Sequence, residues 1–227
     1  FSIKENSTKT NPVTFTEQHK DFPQDKKNLR KWDAPTIADL DQDGYLDMIL
    51  NDHGLGIKIC WNNKGRFAKP YDLIMGDLHG VTVGDFDKDG YSDFIIGTKK
   101  SFTSSDVFYL VNPLANHPLF NVTSIKKPFN ADVSAIKLVD VNNDTYLDIV
   151  ASFNDASEAQ NNATQVYLND KELFPYKHSS LAITVGRGPN EYGDSIVAGD
   201  FNSDGKVDIA FGNSNFLTSD YLDDFTD

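Results

Sequence analysis

The stretch HGVTVGDFDKDGYSDFIIG (His79–Gly97) sets two apolar, β-branched runs on either side of a ladder of aspartates, Asp85, Asp87, Asp89 and Asp93. Four like charges within nine residues repel one another, so a chain that keeps them together invites a cation between them. The ladder recurs as DLDQDGYLDMIL (Asp39–Leu50), DVNNDTYLDIVA (Asp140–Ala151) and DFNSDGKVDIAF (Asp200–Phe211). All four copies read D-x-[DN]-x-D-[GT]-x-x-D, and successive copies start 46, 55 and 60 residues apart. A spaced repeat of this length predicts a repeating architecture.

Oxygen donors at alternate positions around a tight turn suit a hard divalent ion. Calcium takes six to eight oxygens at about 2.3–2.6 Å in flexible geometry. With the first aspartate as position 1, the candidate ligands are the side chains at positions 1, 3, 5 and 9 and the backbone carbonyl at position 7. They are Asp39, Asp41, Asp43, Tyr45 and Asp47 in the first loop, and Asp85, Asp87, Asp89, Tyr91 and Asp93 in the second. The third offers Asp140, Asn142, Asp144, Tyr146 and Asp148, and the fourth Asp200, Asn202, Asp204, Lys206 and Asp208. One structural calcium ion per loop is expected, up to four in all. Position 6 is Gly44, Gly90, Thr145 or Gly205. Glycine there permits the positive φ of a sharp turn, which β-branched Thr145 resists. Asn142 and Asn202 lower ligand charge, so loops one and two are expected to bind most tightly. An EF-hand is excluded, because its loop needs Glu at position 12 and flanking helices. Position 12 here is Leu50, Ile96, Ala151 and Phe211. A single acidic turn needs no ion, but four copies that all keep the position-9 aspartate argue against that reading.

The 227 residues suffice to bury a core without disulfides, and none can form within the chain, since Cys60 is the only cysteine. In IKICWNN, Cys60 reads as a small buried strand residue. The net charge of −13 argues against a nucleic-acid partner. Fourteen aspartates sit in the loops, and the 20 acidic residues elsewhere nearly balance 21 Lys and Arg. The acidity therefore belongs to the repeats. No apolar run approaches the roughly 18 residues of a membrane helix. FSIKENSTKT shows no leader, which a mature chain would have lost.

Short apolar runs flank every loop: TIADL and DMIL, VTVGD and DFIIG, IKLVD and DIVA, SIVAGD and DIAFG. They read as buried strands joined through the loop. A further apolar segment follows, ending in asparagine before a turn and a phenylalanine: Asn62 and Phe67, Asn112 and Phe120, Asn169 and Phe174. Each unit thus offers four antiparallel strands, A to D, the composition of a propeller blade. The predicted fold is all-β, a β-propeller with an ion loop between strands A and B of each blade. Its blades span approximately 33–78, 79–129, 130–190 and 191–227, after an N-terminal strand and connector over 1–32. The four motifs either close a small ring, with TNPVTFTEQH supplying strand D of the last blade, or form a portion of a larger propeller.

The aspartate ladder set between strands, with HGVTVGDFDKDGYSDFIIG the nearest match, resembles the FG-GAP/VCBS repeat of the integrin alpha-subunit propeller and of many secreted bacterial proteins. The resemblance covers residues 33–215 and departs from the pattern at Asn142, Thr145 and Asn202. It implies a calcium-bearing β-propeller with the loop positions as ligands. Adhesion receptors, lectins and polysaccharide-degrading enzymes all carry the repeat, so the fold does not fix the activity.

Because the ion loop joins A to B, the start of A and the end of B lie at the opposite end of the blade. Trp32, His79, Arg187 and Tyr192 precede A strands, and His53 and Lys99 follow B strands. Aromatic platforms and cations suit sugar rings carrying uronate or sulfate. The expected function is a secreted or cell-surface binding module for an extracellular glycan or polysaccharide, with Trp32, His79, Lys99, Arg187 and Tyr192 as ligand residues. Extracellular modules bind calcium at about 10⁻⁴–10⁻³ M, which fits that setting. A polysaccharide lyase is the alternative, with His79, His53, Tyr192 and Arg187 as base and charge neutraliser. A protein-adhesion module is the third reading.

Overall fold

The computed structural model describes residues 35–52, 55–98, 107–113, 120–126, 132–154, 164–169, 181–183 and 191–215. Every regular element among them is a strand. Unit 1 is a sheet of β1 (Thr36–Ala38), β2 (Asp47–Asp52), β3 (Gly56–Cys60) and β6 (Tyr71–Ile74), with a small separate hairpin of β4 (Asn62–Asn63) and β5 (Arg66–Phe67). Unit 2 is β7 (Leu78–Gly84), β8 (Asp93–Thr98), β9 (Val107–Pro113) and β10 (Phe120–Lys126). Unit 3 is β11 (Asp132–Val139), β12 (Asp148–Asn154), β13 (Thr164–Tyr167) and β14 (Leu181–Ile183). Unit 4 shows β15 (Glu191–Gly199) and β16 (Asp208–Asn215). All pairings are antiparallel, and units 1 to 3 run in the A-to-D order expected from the sequence, with β3 pairing β6 across the β4–β5 hairpin. Phe67 departs from expectation: it pairs in the β4–β5 hairpin, and strand D of unit 1 starts at Tyr71.

Strand β8 is buried over its whole length, and β2 and β3 are buried at most of their positions. Side chains alternate between two faces of the sheet. Ile49 and Ile95 face the following unit. Phe94, Ile96, Ile149 and Ala151 face the preceding one. We call these the forward and rear faces. One core joins the forward face of unit 1 (Ala38, Leu40, Ile49, Ile57, Ile59) to the rear face of unit 2 (Leu78, Phe94, Ile96). A second joins the forward face of unit 2 (Phe86, Ile95) to the rear face of unit 3 (Val133, Ile136, Leu138, Ile149).

Small residues make room for this contact. Leu147 of unit 3 seats over Gly84 of unit 2, where a Cβ would overlap it. Gly97 makes the same allowance for Val133. Hydroxyls tie the A strands across the interfaces: Thr36 Oγ1 donates to the Val81 carbonyl (3.3 Å), and Thr82 Oγ1 accepts from the Leu138 amide (3.0 Å). The A strands thus lie side by side and line a cavity of about 360 Å³ with Thr36, Val81, Thr82, Ile136, Lys137 and Ile196. Strands β7, β11 and β15 each carry one extra residue against their B partner, a recurrent bulge near the start of strand A.

Gly56 opens β3 at φ 114°, and a Cβ there would run into the Ile74 carbonyl of strand D. Gly56→Ala is expected to cost about 3 kcal/mol in urea unfolding by forcing β6 away from β3. A cost near zero would show that this edge of unit 1 yields freely.

Candidate metal centre

The four loops share most of their hydrogen bonds. In loops 1, 3 and 4 the amide of position 5 donates to Oδ1 of position 1 at 3.0–3.1 Å (Asp43 to Asp39, Asp144 to Asp140, Asp204 to Asp200). The amide of position 6 donates to Oδ2 of the same aspartate in every loop: Gly44 to Asp39, Gly90 to Asp85, Thr145 to Asp140 and Gly205 to Asp200. The amide of position 7 donates to position 5, from Tyr45, Tyr91, Tyr146 and Lys206. Aspartate and asparagine favour such turns because their short side chains reach their own backbone. The bonds bend the chain so that its acidic side chains converge.

Two positions per loop adopt left-handed backbone. Position 6 does so as expected, at φ 88°, 89° and 83° for Gly44, Gly90 and Gly205, and Thr145 is held there too at 74°. Position 4 also does, at φ 60–63° in Gln42, Lys88, Asn143 and Ser203. Sequence reading missed this second position, because its four residues share no side-chain type. From it, Gln42 Nε2 donates to the Gly90 carbonyl (2.5 Å), and Lys88 Nζ reaches Thr145 Oγ1 (2.6 Å) and lies 3.8 Å over the Tyr146 ring. Loop 1 thereby touches loop 2, and loop 2 touches loop 3. A β-branched residue at positive φ is strained. Thr145→Gly should therefore stabilise the protein by about 1 kcal/mol in chelator, measured by urea unfolding; destabilisation would mean that the Lys88 contact outweighs the strain.

In loops 1 to 3 the position-9 aspartate is buried at the loop base, with Asp47, Asp93 and Asp148 at most 1% exposed, whereas Asp208 is half-buried. Their Oδ2 accepts the amide of position 2: Leu40 to Asp47 (3.0 Å), Phe86 to Asp93 (2.8 Å), Val141 to Asp148 (2.9 Å) and Phe201 to Asp208 (2.9 Å). Oδ1 of Asp47 and Asp148 accepts the amide of the asparagine that ends strand C, Asn62 or Asn169, at 2.8 Å. Those asparagines return Nδ2 to the position-8 carbonyls of Leu46 and Leu147. The recurring asparagine, visible in the sequence without a role, is thus the link from strand C to the loop.

Whether the loops suit a divalent ion turns on their free acceptors. Asp39, Asp41 and Asp43 bring carboxylate oxygens within 4.8 Å of one another, as do Asp85, Asp87 and Asp93. Asp89 and Asp47 lie outside these two groups, and loops 3 and 4 carry asparagine at position 3. In loop 2, Asp85 Oδ1 is buried without a hydrogen-bond partner. An anionic oxygen in that position is costly unless a cation meets it. Burial, followed by the nearby charges of Asp87 and Asp89, pushes the Asp93 carboxyl up to about 7, against the pull of the Phe86 and Asp87 amides. Asp47, Asp87 and Asp148 are also raised, each chiefly by burial. The donor set is all oxygen and mostly anionic, which fits calcium.

On the opposite face, His79 is half-buried, with Nε2 3.4 Å from Asp77 Oδ1. Tyr192 lies on β15, its side chain outside the described residues. Trp32, His53, Lys99 and Arg187 also lie outside them. Cys60 is buried, as expected, and burial pushes its thiol up to about 11, which leaves it unreactive near neutral pH.

Four antiparallel units, each turning from its first to its second strand through an acidic loop of common geometry, define a class of β-repeat protein. The family model of the FG-GAP-like repeat matches residues 39–96 and 140–211, more than half of the chain, and the chain belongs to that family. No curated protein matches it.

Proposed function

We propose that the chain is a calcium-stabilised β-propeller module, or a portion of one, acting in extracellular binding. The observation that carries this reading is the second loop, where Asp85, Asp87 and Asp93 converge and Asp85 Oδ1 is buried without a partner. Asp39, Asp41, Asp43, Tyr45 and Asp47 would hold one ion, and Asp85, Asp87, Asp89, Tyr91 and Asp93 the next. Asp140, Asn142, Asp144, Tyr146 and Asp148, and then Asp200, Asn202, Asp204, Lys206 and Asp208, would hold weaker ones. A bound ion supplies positive charge that offsets the crowded carboxylates. The chain's own residues do the rest: Asp47 and Asp148 anchor their loops to the asparagine after strand C, and the loop amides orient the ligand oxygens.

The side-by-side packing of forward and rear faces supports a propeller arrangement. The ligand in this reading is an extracellular glycan or polysaccharide, taken on the face where the A strands begin. Titration calorimetry with calcium, then with magnesium, tests the ion claim; two tighter and two weaker calcium sites are expected. Absence of heat at millimolar calcium would overturn it. A glycan array run in calcium and again in chelator tests the ligand class, and silence in both would turn attention to a protein ligand.

A further inference from the structure

Position 4 of each loop lies between two ligand positions and is not itself a ligand, yet it holds a left-handed backbone in all four loops. In the two loops where its side chain is long, that side chain leaves its own loop and lands on the next. Gln42 Nε2 donates to the Gly90 carbonyl, and Lys88 Nζ donates to Thr145 Oγ1 while covering the Tyr146 ring. Gly90 and Thr145 are both position 6 of the following loop, so the contact recurs in the same place although its chemistry differs. Asn143 and Ser203 hold position 4 in loops 3 and 4 with shorter side chains. Among the described residues no hydrogen bond joins Asn143 to loop 4.

Each landing point belongs to the candidate ion cage of the next loop. The peptide between Gly90 and Tyr91 is one plane. Gln42 binds its carbonyl, and Asp89 Oδ1 accepts its amide at 2.8 Å. In loop 3 the amides of Thr145 and Tyr146 are held by Asp140 and Asp144, at 2.7 and 2.9 Å, and Lys88 secures the same two residues from outside. Thr145 sits at φ 74°, which a β-branched residue resists, so the hydroxyl contact supports a strained turn. Gln42 is flanked by Asp41 and Asp43, and Lys88 by Asp87 and Asp89. Ordering those carboxylates orders the side chain between them, and that side chain orders the next cage.

We infer that, given the ion binding proposed above, Gln42 and Lys88 are positioning residues that couple the sites, loop 1 to loop 2 and loop 2 to loop 3, with loop 4 independent. The coupling is positive, because a loop already ordered by its neighbour loses less freedom when it takes its own ion, and it acts in both directions. The charge of Lys88 acts the other way. An ammonium beside loop 3 repels a cation there, weakly, because the contact is exposed and screened. Coupling and repulsion therefore give opposite signs for the same substitution. Of the two loops with asparagine at position 3, loop 3 should take calcium more tightly than loop 4, against the order that strained Thr145 alone would set.

The test is a calcium titration of the isotope-labelled full chain read by NMR, in which the amides of Gly44, Gly90, Thr145 and Gly205 report the four loops separately. Loop 2 fills before loop 3, so loop 3 carries the readout. Lys88→Ser removes the contact and keeps a residue type that Ser203 shows to suit the position. It should raise the half-saturating calcium of loop 3 about fivefold and leave loop 4 unmoved, and Lys88→Arg should restore the wild-type value. Asp87→Asn, which weakens loop 2 directly, should weaken loop 3 as well in the wild-type chain and far less beside Lys88→Ser. Gln42→Ala gives the same test between loops 1 and 2 if Lys88→Ser disturbs loop 4. Calcium shifts in every loop, with loop 3 unmoved or tightened by Lys88→Ser, overturn the coupling and leave ion binding intact. No shift in any loop at millimolar calcium overturns ion binding, and the coupling with it.

Discussion

Asp148→Ala is expected to lower stability by about 3 kcal/mol, in chelator as much as in calcium. The carboxylate is fully buried, and its two oxygens accept the amides of Val141 and Asn169. Alanine strands both donors, each costing about 1–3 kcal/mol when unmet in the interior. Asp144→Ala in the same loop is the contrast. Asp144 accepts the Tyr146 amide near the surface, where water can replace it. In chelator that variant should lose less than about 1 kcal/mol, while in calcium it should lose the ion-dependent stabilisation of loop 3. Urea unfolding of both variants, with and without chelator, separates the two roles of these carboxylates. Equal losses in chelator would refute the idea that position 9 is an anchor first and a ligand second.

Stability is expected to respond to pH without calcium and to lose most of that response in saturating calcium. The folded Asp93 carboxyl titrates at about 7 in the absence of an ion, against about 4 in an unfolded chain. Between those values the folded state holds a proton that the unfolded state has released. The ion-free protein therefore gains stability as pH falls from about 7 towards 4 and loses it as pH rises through 7. Asp47, Asp87 and Asp148 are raised too and act in the same direction. Calcium requires the carboxylates ionised, so binding expels these protons, and affinity at loop 2 should fall about tenfold per pH unit below 7 for each proton displaced. Melting in chelator should thus be higher at pH 5.5 than at pH 7.5, and in saturating calcium nearly equal at the two, because the loss of affinity offsets the gain of the ion-free fold. A melting temperature that rose with pH in chelator would mean that Asp93 is ionised in the empty loop.

Much of this fold was legible because the repeat states it four times. Apolar runs on both sides of each ladder gave the A and B strands, and the shared asparagine marked the end of strand C. What stayed hidden depends on backbone geometry rather than residue type. Gln42, Lys88, Asn143 and Ser203 have nothing in common as side chains, yet all take the left-handed conformation. The bulges in β7, β11 and β15 fall at unlike residues, because a bulge asks only for an extra residue in the pairing. Asp47 and Asp93 look the same in sequence, yet only Asp93 joins its neighbours in a convergent carboxylate group. Phe67 was read as the phenylalanine that follows the turn into strand D and sits instead in a two-residue hairpin, since GRF returns the chain at once to Asn62.

The division of every core into a half from one sheet and a half from its neighbour bears on ancestry. A duplicated segment running from one loop to the next would arrive with its own donor and acceptor surfaces already in the correct hand. Such an array can lengthen or shorten by whole modules while each surviving junction meets a familiar counterpart. Substitutions at Gly84 and Leu147 would then be inherited as a matched pair across a module boundary, and the place to look for their co-variation is between adjacent modules rather than within one.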